Sequence, residues 1–111
     1  MVIEYIRYGL LDEPQARAFE ENYGRAAHVL DASAHCLGYE LSRCTESPLR
    51  YILRIDWDSA DGHLKGFRGD PAFAEFLGFV KPYLAQVLEM RHYEMTAVVS
   101  QTRSSQCSAR R

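Results

Sequence analysis

At 111 residues, with 47% hydrophobic and 25% charged side chains, the chain has the make-up of one globular domain built around a single core. A formal net charge of -2 argues against the basic surface that phosphate backbones demand, so nucleic acid is not an expected partner. No apolar run approaches the roughly 20 residues needed to cross a bilayer. The start Met1-Val2-Ile3-Glu4 lacks the basic and apolar regions of a secretion signal, so the cytoplasm is the expected location and no membrane partner is expected.

Val2 to Tyr8 alternates apolar and polar residues, with Tyr and Ile enriched, and predicts a first strand. Gly9 to Asp12 breaks it, and Asp12 can cap the helix that follows, with Pro14 in its first turn. Ala16, Phe19, Tyr23, Ala27 and Leu30 recur at spacings of three and four, with Glu20, Glu21 and Arg25 opposite, which predicts an amphipathic helix of about five turns. Residues 36–44 alternate again, with Leu37, Tyr39 and Leu41 on one face. Thr45 to Pro48 is a turn, and Arg50 to Asp58 a third strand with Tyr51, Leu53, Ile55 and Trp57 inward. The short loop makes these two strands an antiparallel hairpin.

Ser59 can cap a brief helix from Ala60 to Phe67. Gly69-Asp70-Pro71 stops it and starts another, whose apolar stripe is Phe73, Phe76, Leu77 and Val80. Gln86 to Val98 reads as a final strand. Residues 1–98 thus form the domain, and 99–111, without apolar periodicity, a loose tail. The order of elements predicts an α+β ferredoxin-like βαββααβ fold, a four-stranded antiparallel sheet with helices on one face. The other face would carry Ile3, Tyr5, Ile52, Leu88, Met90 and His92 beside Arg7, Glu40 and Arg54. That mixture suits a second sheet, and hence a homodimer, better than bare solvent, although antiparallel sheets also keep one wet face.

Cys36, Cys44 and Cys107 have no CxxC spacing, so neither a disulfide framework nor a zinc site is expected. There is no phosphate-cradling glycine loop, no HExxH and no GxSxG. Neither a cofactor nor a metal is expected.

The stretches Cys-Leu-Gly-Tyr-Glu-Leu-Ser-Arg (36–43), Ser-Pro-Leu-Arg-Tyr-Ile-Leu-Arg-Ile-Asp-Trp-Asp-Ser (47–59), His63 with Gly-Phe-Arg-Gly-Asp-Pro-Ala-Phe (66–73), and Arg-His-Tyr-Glu (91–94) resemble the antibiotic-biosynthesis monooxygenase family of dimeric α/β barrels. The resemblance spans about residues 2–95. It implies two subunits packed sheet to sheet, each with a pocket between sheet and helices. Its members range from oxygenases of aromatic polyketides that use no metal or flavin to haem-degrading enzymes and isomerases, so fold alone cannot assign a reaction. The haem-degrading relatives use an Asn on the first strand, a Trp in the short helix and a His in the second short helix. None of the three is present here, which argues against that chemistry.

Trp57 and His63 match family positions near the pocket. His63 is the candidate acid/base, against the reading that it covers a helix surface. Trp57 is either a core anchor or an apolar wall for an aromatic substrate. Arg68 can bind an anion or satisfy carbonyls at the helix end. Phe67, Phe73 and Phe76 serve a core or a pocket equally well, and Tyr39 and Tyr51 could point their hydroxyls into the same pocket or satisfy them on backbone. The leading expectation is a cofactor-independent monooxygenase acting on a small aromatic or quinone-like molecule. The alternatives are a non-catalytic dimeric module for a small ligand, and an isomerase or lyase.

Overall fold

The computed structural model describes residues 1–100, so the predicted tail falls almost wholly outside the described residues. Strand β1 (Val2–Gly9) leads into helix α1 (Glu13–Ala32), followed by the hairpin β2 (Cys36–Arg43) and β3 (Arg50–Trp57). A π-helical segment (Gly62–Phe67), helix α2 (Phe73–Val80) and a 3-10 segment (Lys81–Gln86) come next, and strand β4 (Val87–Glu94) closes the domain. The sheet order is β2-β3-β1-β4, antiparallel throughout, with helices on one face: the α+β ferredoxin-like arrangement expected.

The start of α1 is set by its first turn. Asp12 accepts a hydrogen bond from the Gln15 amide at 2.9 Å, and the Gln15 side chain accepts one from the Leu11 amide at 2.7 Å, so two amides left over at the helix start are satisfied reciprocally. The stripe Ala16, Phe19, Tyr23, Ala27 and Leu30 is buried as predicted and lies on the sheet. Phe19 is its hub, with ring centroids 4.7 Å from Tyr8 and 5.2 Å from both Tyr51 and Tyr83. Burying a side chain of that size contributes about 2–3 kcal/mol.

Three strand expectations need correction. Leu37 does not share the face of Tyr39 and Leu41. The ladder steps from Cys36↔Trp57 to Gly38↔Asp56, a bulge that turns Cys36 toward the core and leaves Leu37 half-exposed. The last strand is shorter than Gln86–Val98: Gln86 belongs to the 3-10 segment, and Glu94 pairs with Val2 at the start of β1, so Met95 onward meets no strand partner among the described residues.

The third correction bears on function. Met90 and His92 are not on the outer face. They stand directly opposite Ile6 and Glu4, and so share the helix side of the sheet with them. Alternation within β4 fixed which residues share a face but not which face is inward. Leu88 is the extra residue of a second bulge, between the pairs Arg7↔Glu89 and Tyr8↔Val87, and is half-exposed. The outer face therefore carries Ile3, Tyr5 and Arg7 from β1, Ile52 and Arg54 from β3, and Arg91 and Tyr93 from β4. Tyr5 and Tyr93 meet edge to face at 5.4 Å, and Arg54 is held by Asp56 at 2.9 Å.

Candidate active site

Where β1, β4 and the end of β3 pass beneath the π-helical segment and α2, the helix side of the sheet is not filled. A cavity of about 250 Å³ opens there, walled largely by Ile6, Ile55, Phe73, Phe76, Val80 and Met90. Its polar groups are few: Glu4, His63 and Arg68 at one end, and the hydroxyls of Tyr8 and Tyr23. Apolar walls with a handful of convergent polar groups are the composition of a small-molecule site.

The polar end is built around Trp57, the last residue of β3, which is fully buried. Its indole N–H donates to Glu4 Oε1 at 3.0 Å. The His63 ring stacks on the indole at 4.4 Å, only 10° from parallel. His63 Nδ1 lies 2.7 Å from His92 Nε2, and His63 Nε2 lies 3.6 Å from Glu4 Oε1. Four residues from β1, β3, β4 and the π-helical segment thus form one contiguous group, reaching from the interior at Glu4 to the exposed His92.

The π-helical segment owes its position to two glycines and a His–Asp hydrogen bond. His35 Nδ1 lies 2.9 Å from Asp58 Oδ2, and this pair sits directly against Gly62 and Gly66. A Cβ on Gly62 would meet Asp58 Oδ1 at 1.8 Å, and one on Gly66 would meet the His35 ring at 2.4 Å, so a side chain at either position would displace this pair. The widened turn closes with the Arg68 amide donating to the His63 carbonyl at 3.1 Å, a five-residue step of the kind often found at functional sites. It puts His63 and Phe67 inward and Arg68 at the cavity wall.

Burial dominates the electrostatics. It raises the Glu4 carboxyl above its ordinary range, against the lowering effects of the Trp57 hydrogen bond and of the His92 and Arg68 charges. It pushes His63 down to about 4, with Arg68 and His92 adding repulsion, so the imidazole is uncharged at neutral pH with a lone pair to offer. Tyr8 is pushed up to about 12 and Tyr23 well above its usual value, again by burial first, so both hydroxyls keep their protons.

Six of the eight residues singled out from the sequence meet at this cavity: Trp57, His63, Phe67, Arg68, Phe73 and Phe76. Tyr39 and Tyr51 do not. Both lie on the helix side of the sheet, as expected, but Tyr51 stands near the start of β3 while Trp57 ends it, about 20 Å away along an extended chain. The Tyr51 hydroxyl donates to Glu20, and that of Tyr39 to Asp31 at 3.1 Å. The tyrosines that face the cavity are Tyr8 and Tyr23, the first on the strand parity of Glu4 and the second on the α1 stripe. Glu4 was not foreseen either, because a carboxylate in an alternating strand reads as a solvent-facing residue. The signal that would have found it is parity, since Glu4 falls in step with Ile6 and Tyr8.

The profile of the family described as Antibiotic biosynthesis monooxygenase matches residues 1–78. A Bacillus subtilis relative, the uncharacterized protein YczJ, is 24% identical over 90 residues, 81% of this chain and 90% of its own length. Among solved structures, a Bordetella bronchiseptica protein carrying the family's name is 26% identical, with a TM-score of 0.73 over 86% of this chain and 96% of its own. SnoaB, a cofactor-independent oxygenase from Streptomyces nogalater, superposes with a TM-score of 0.67 at 17% identity, covering 90% of this chain and 95% of its own, and so attests the fold. With the profile spanning well over half its length, this chain belongs to the antibiotic biosynthesis monooxygenase family.

Proposed function

We propose that the cavity is the active site of a monooxygenase that needs no resident cofactor and acts on a small aromatic or quinone-like molecule with an acidic C–H bond. One observation carries the reading: an uncharged, buried imidazole, clamped between Trp57 and His92, faces a largely apolar cavity. His63 accepts the proton from the substrate carbon, and the carbanion left behind gives an electron to molecular oxygen. The two radicals combine to a peroxide, which takes a proton back from His63. Loss of the second C–H proton and of hydroxide then leaves a carbonyl and one water, so that CH2 plus O2 becomes C=O plus H2O. Arg68 at the cavity wall favours the anionic states, and the Tyr8 and Tyr23 hydroxyls are hydrogen-bonded to each other, so the pair has one proton left to donate to a substrate oxygen.

The same reading includes a homodimer packed through the outer face of the sheet. Ile52 and Tyr93 are 39% and 46% exposed there, and a second sheet would cover them. Sedimentation at micromolar concentration tests it, and a monomer would overturn it.

Oxygen uptake with a panel of quinol-type substrates tests the chemistry. His63→Ala is expected to lower turnover about 100-fold, and a His63→Ala protein that matches wild type would remove His63 from the mechanism. One observation favours a second reading, a binding module without turnover: among the described residues no buried side-chain polar atom lacks a hydrogen-bond partner. Ligands that raise the melting temperature without any oxygen uptake across the panel would support that alternative.

A further inference from the structure

We propose that Glu4, His63 and His92 bind one divalent transition-metal ion of the zinc, cobalt or nickel class, beyond the metal-free chemistry set out above. The inference stands on geometry. One atom from each of the three side chains lies within 4.8 Å of the others, and they are brought together from β1, the π-helical segment and β4. Two imidazoles and a carboxylate are the donor set of borderline divalent ions, and cavity space beside them leaves positions for water or a ligand.

The separations favour an ion over a proton at one point. His63 Nε2 and Glu4 Oε1 are 3.6 Å apart, too long for a hydrogen bond. Two ligand atoms on a tetrahedral ion with bonds near 2.1 Å stand about 3.4 Å apart, so the gap has nearly the right size. A neutral His63 carries one N–H for two neighbours. If that proton bridges to His92, the Nε2 lone pair confronts the Glu4 oxygen, and a cation in the gap turns that confrontation into two bonds. Glu4 Oε1 is oriented by the Trp57 N–H, the outer hydrogen bond that ligating carboxylates usually have. His92 is exposed, so no packing holds its ring against Nδ1 of His63, and the proposal places it at the third position. An ion held this way occupies the lone pair that His63 would use as a base, and so stops proton abstraction.

Trp57 makes the test direct. It is the only tryptophan in the chain, and its ring is 4.4 Å from that of His63. Cobalt(II) or nickel(II) titrated into chelator-stripped, full-length protein should quench its emission saturably in the micromolar range, with one ion per chain by equilibrium dialysis. Glu4→Gln and His92→Ala should each weaken binding about tenfold or more, while magnesium, which prefers oxygen ligands, should leave the emission unchanged. His92→Ala alters an exposed side chain, so a result does not depend on a core variant folding. Absence of saturable quenching, or variants that titrate like wild type, would overturn the proposal. Oxygen uptake in the presence of chelator reports on His63 as a base separately, so either claim can fail without the other.

Discussion

The helix side of the sheet has two halves, and they are built on opposite plans. Under α1, Phe19 gathers Tyr8, Tyr51 and Tyr83 around itself, and its own side chain is fully buried among them. Under the π-helical segment and α2, Phe67, Phe73 and Phe76 stand at similar ring distances but enclose about 250 Å³ that they leave open. Both halves are aromatic and both are buried, so aromatic content alone does not mark the site. What differs is the polar content: beside α1 the Tyr51 and Tyr39 hydroxyls turn away to Glu20 and Asp31 and Tyr83 accepts from Asn22, whereas the open half turns Glu4, His63 and His92 toward one another.

Truncation should break this contrast most sharply. Phe19→Ala leaves a void inside a close-packed ring of aromatics and is expected to cost about 4 kcal/mol. Phe73 is only half-buried and borders space that is already open, so Phe73→Ala should cost about 1–2 kcal/mol and widen the cavity. Urea unfolding of the two variants measures both. Equal losses would mean that the open half is as tightly packed as the closed one.

A second test concerns the support of the open half. Gly66→Ala drives a Cβ into the His35 ring and is expected to cost about 2 kcal/mol while displacing the segment that carries His63. His35 is half-exposed, and His35→Ala removes the obstacle, so the double variant should recover much of the loss. Additive losses in the thermal unfolding of the single and double variants would show that the glycine serves something other than the close approach of His35.

How much of this was legible in the sequence follows the same division. The order of strands and helices, the cap at Asp12 and the inward set Tyr51, Leu53, Ile55 and Trp57 are local, since period and turn chemistry belong to neighbouring residues. The cavity walls at Phe67, Phe73 and Phe76 were legible because a helix stripe must face something. The Glu4 cluster was not, because its members are far apart in the chain: Trp57 lies 53 residues from Glu4, and His92 lies 29 from His63. Only the pairing of β1 with both β3 and β4 brings them together, and pairing register is not a property of any one segment. The bulges at Leu37 and Leu88, and the inward face of Met90 and His92, were missed for the same reason.

The smallest effect should separate the two buried titrating groups, measured in chelator-treated protein. The folded His63 is held down at about 4, against 6.5 for an ordinary histidine. Between those values the unfolded chain takes up a proton that the folded one refuses, so stability falls as pH drops from 6.5 toward 4, by about 1 kcal/mol or more. Glu4 acts in the opposite sense. Its folded value is raised from 4.5, so its contribution is complete below 4.5 and is lost as pH rises through the folded value. In the wild type the two trends partly cancel on mild acidification. Glu4→Gln keeps an acceptor for the Trp57 N–H but removes the carboxyl titration, so the variant should lose more stability than wild type between pH 7 and the ordinary carboxyl value of 4.5. Urea midpoints across that window decide the point. Parallel pH profiles would mean that Glu4 titrates as it does in the unfolded chain, and that the open half is wetter than its walls imply.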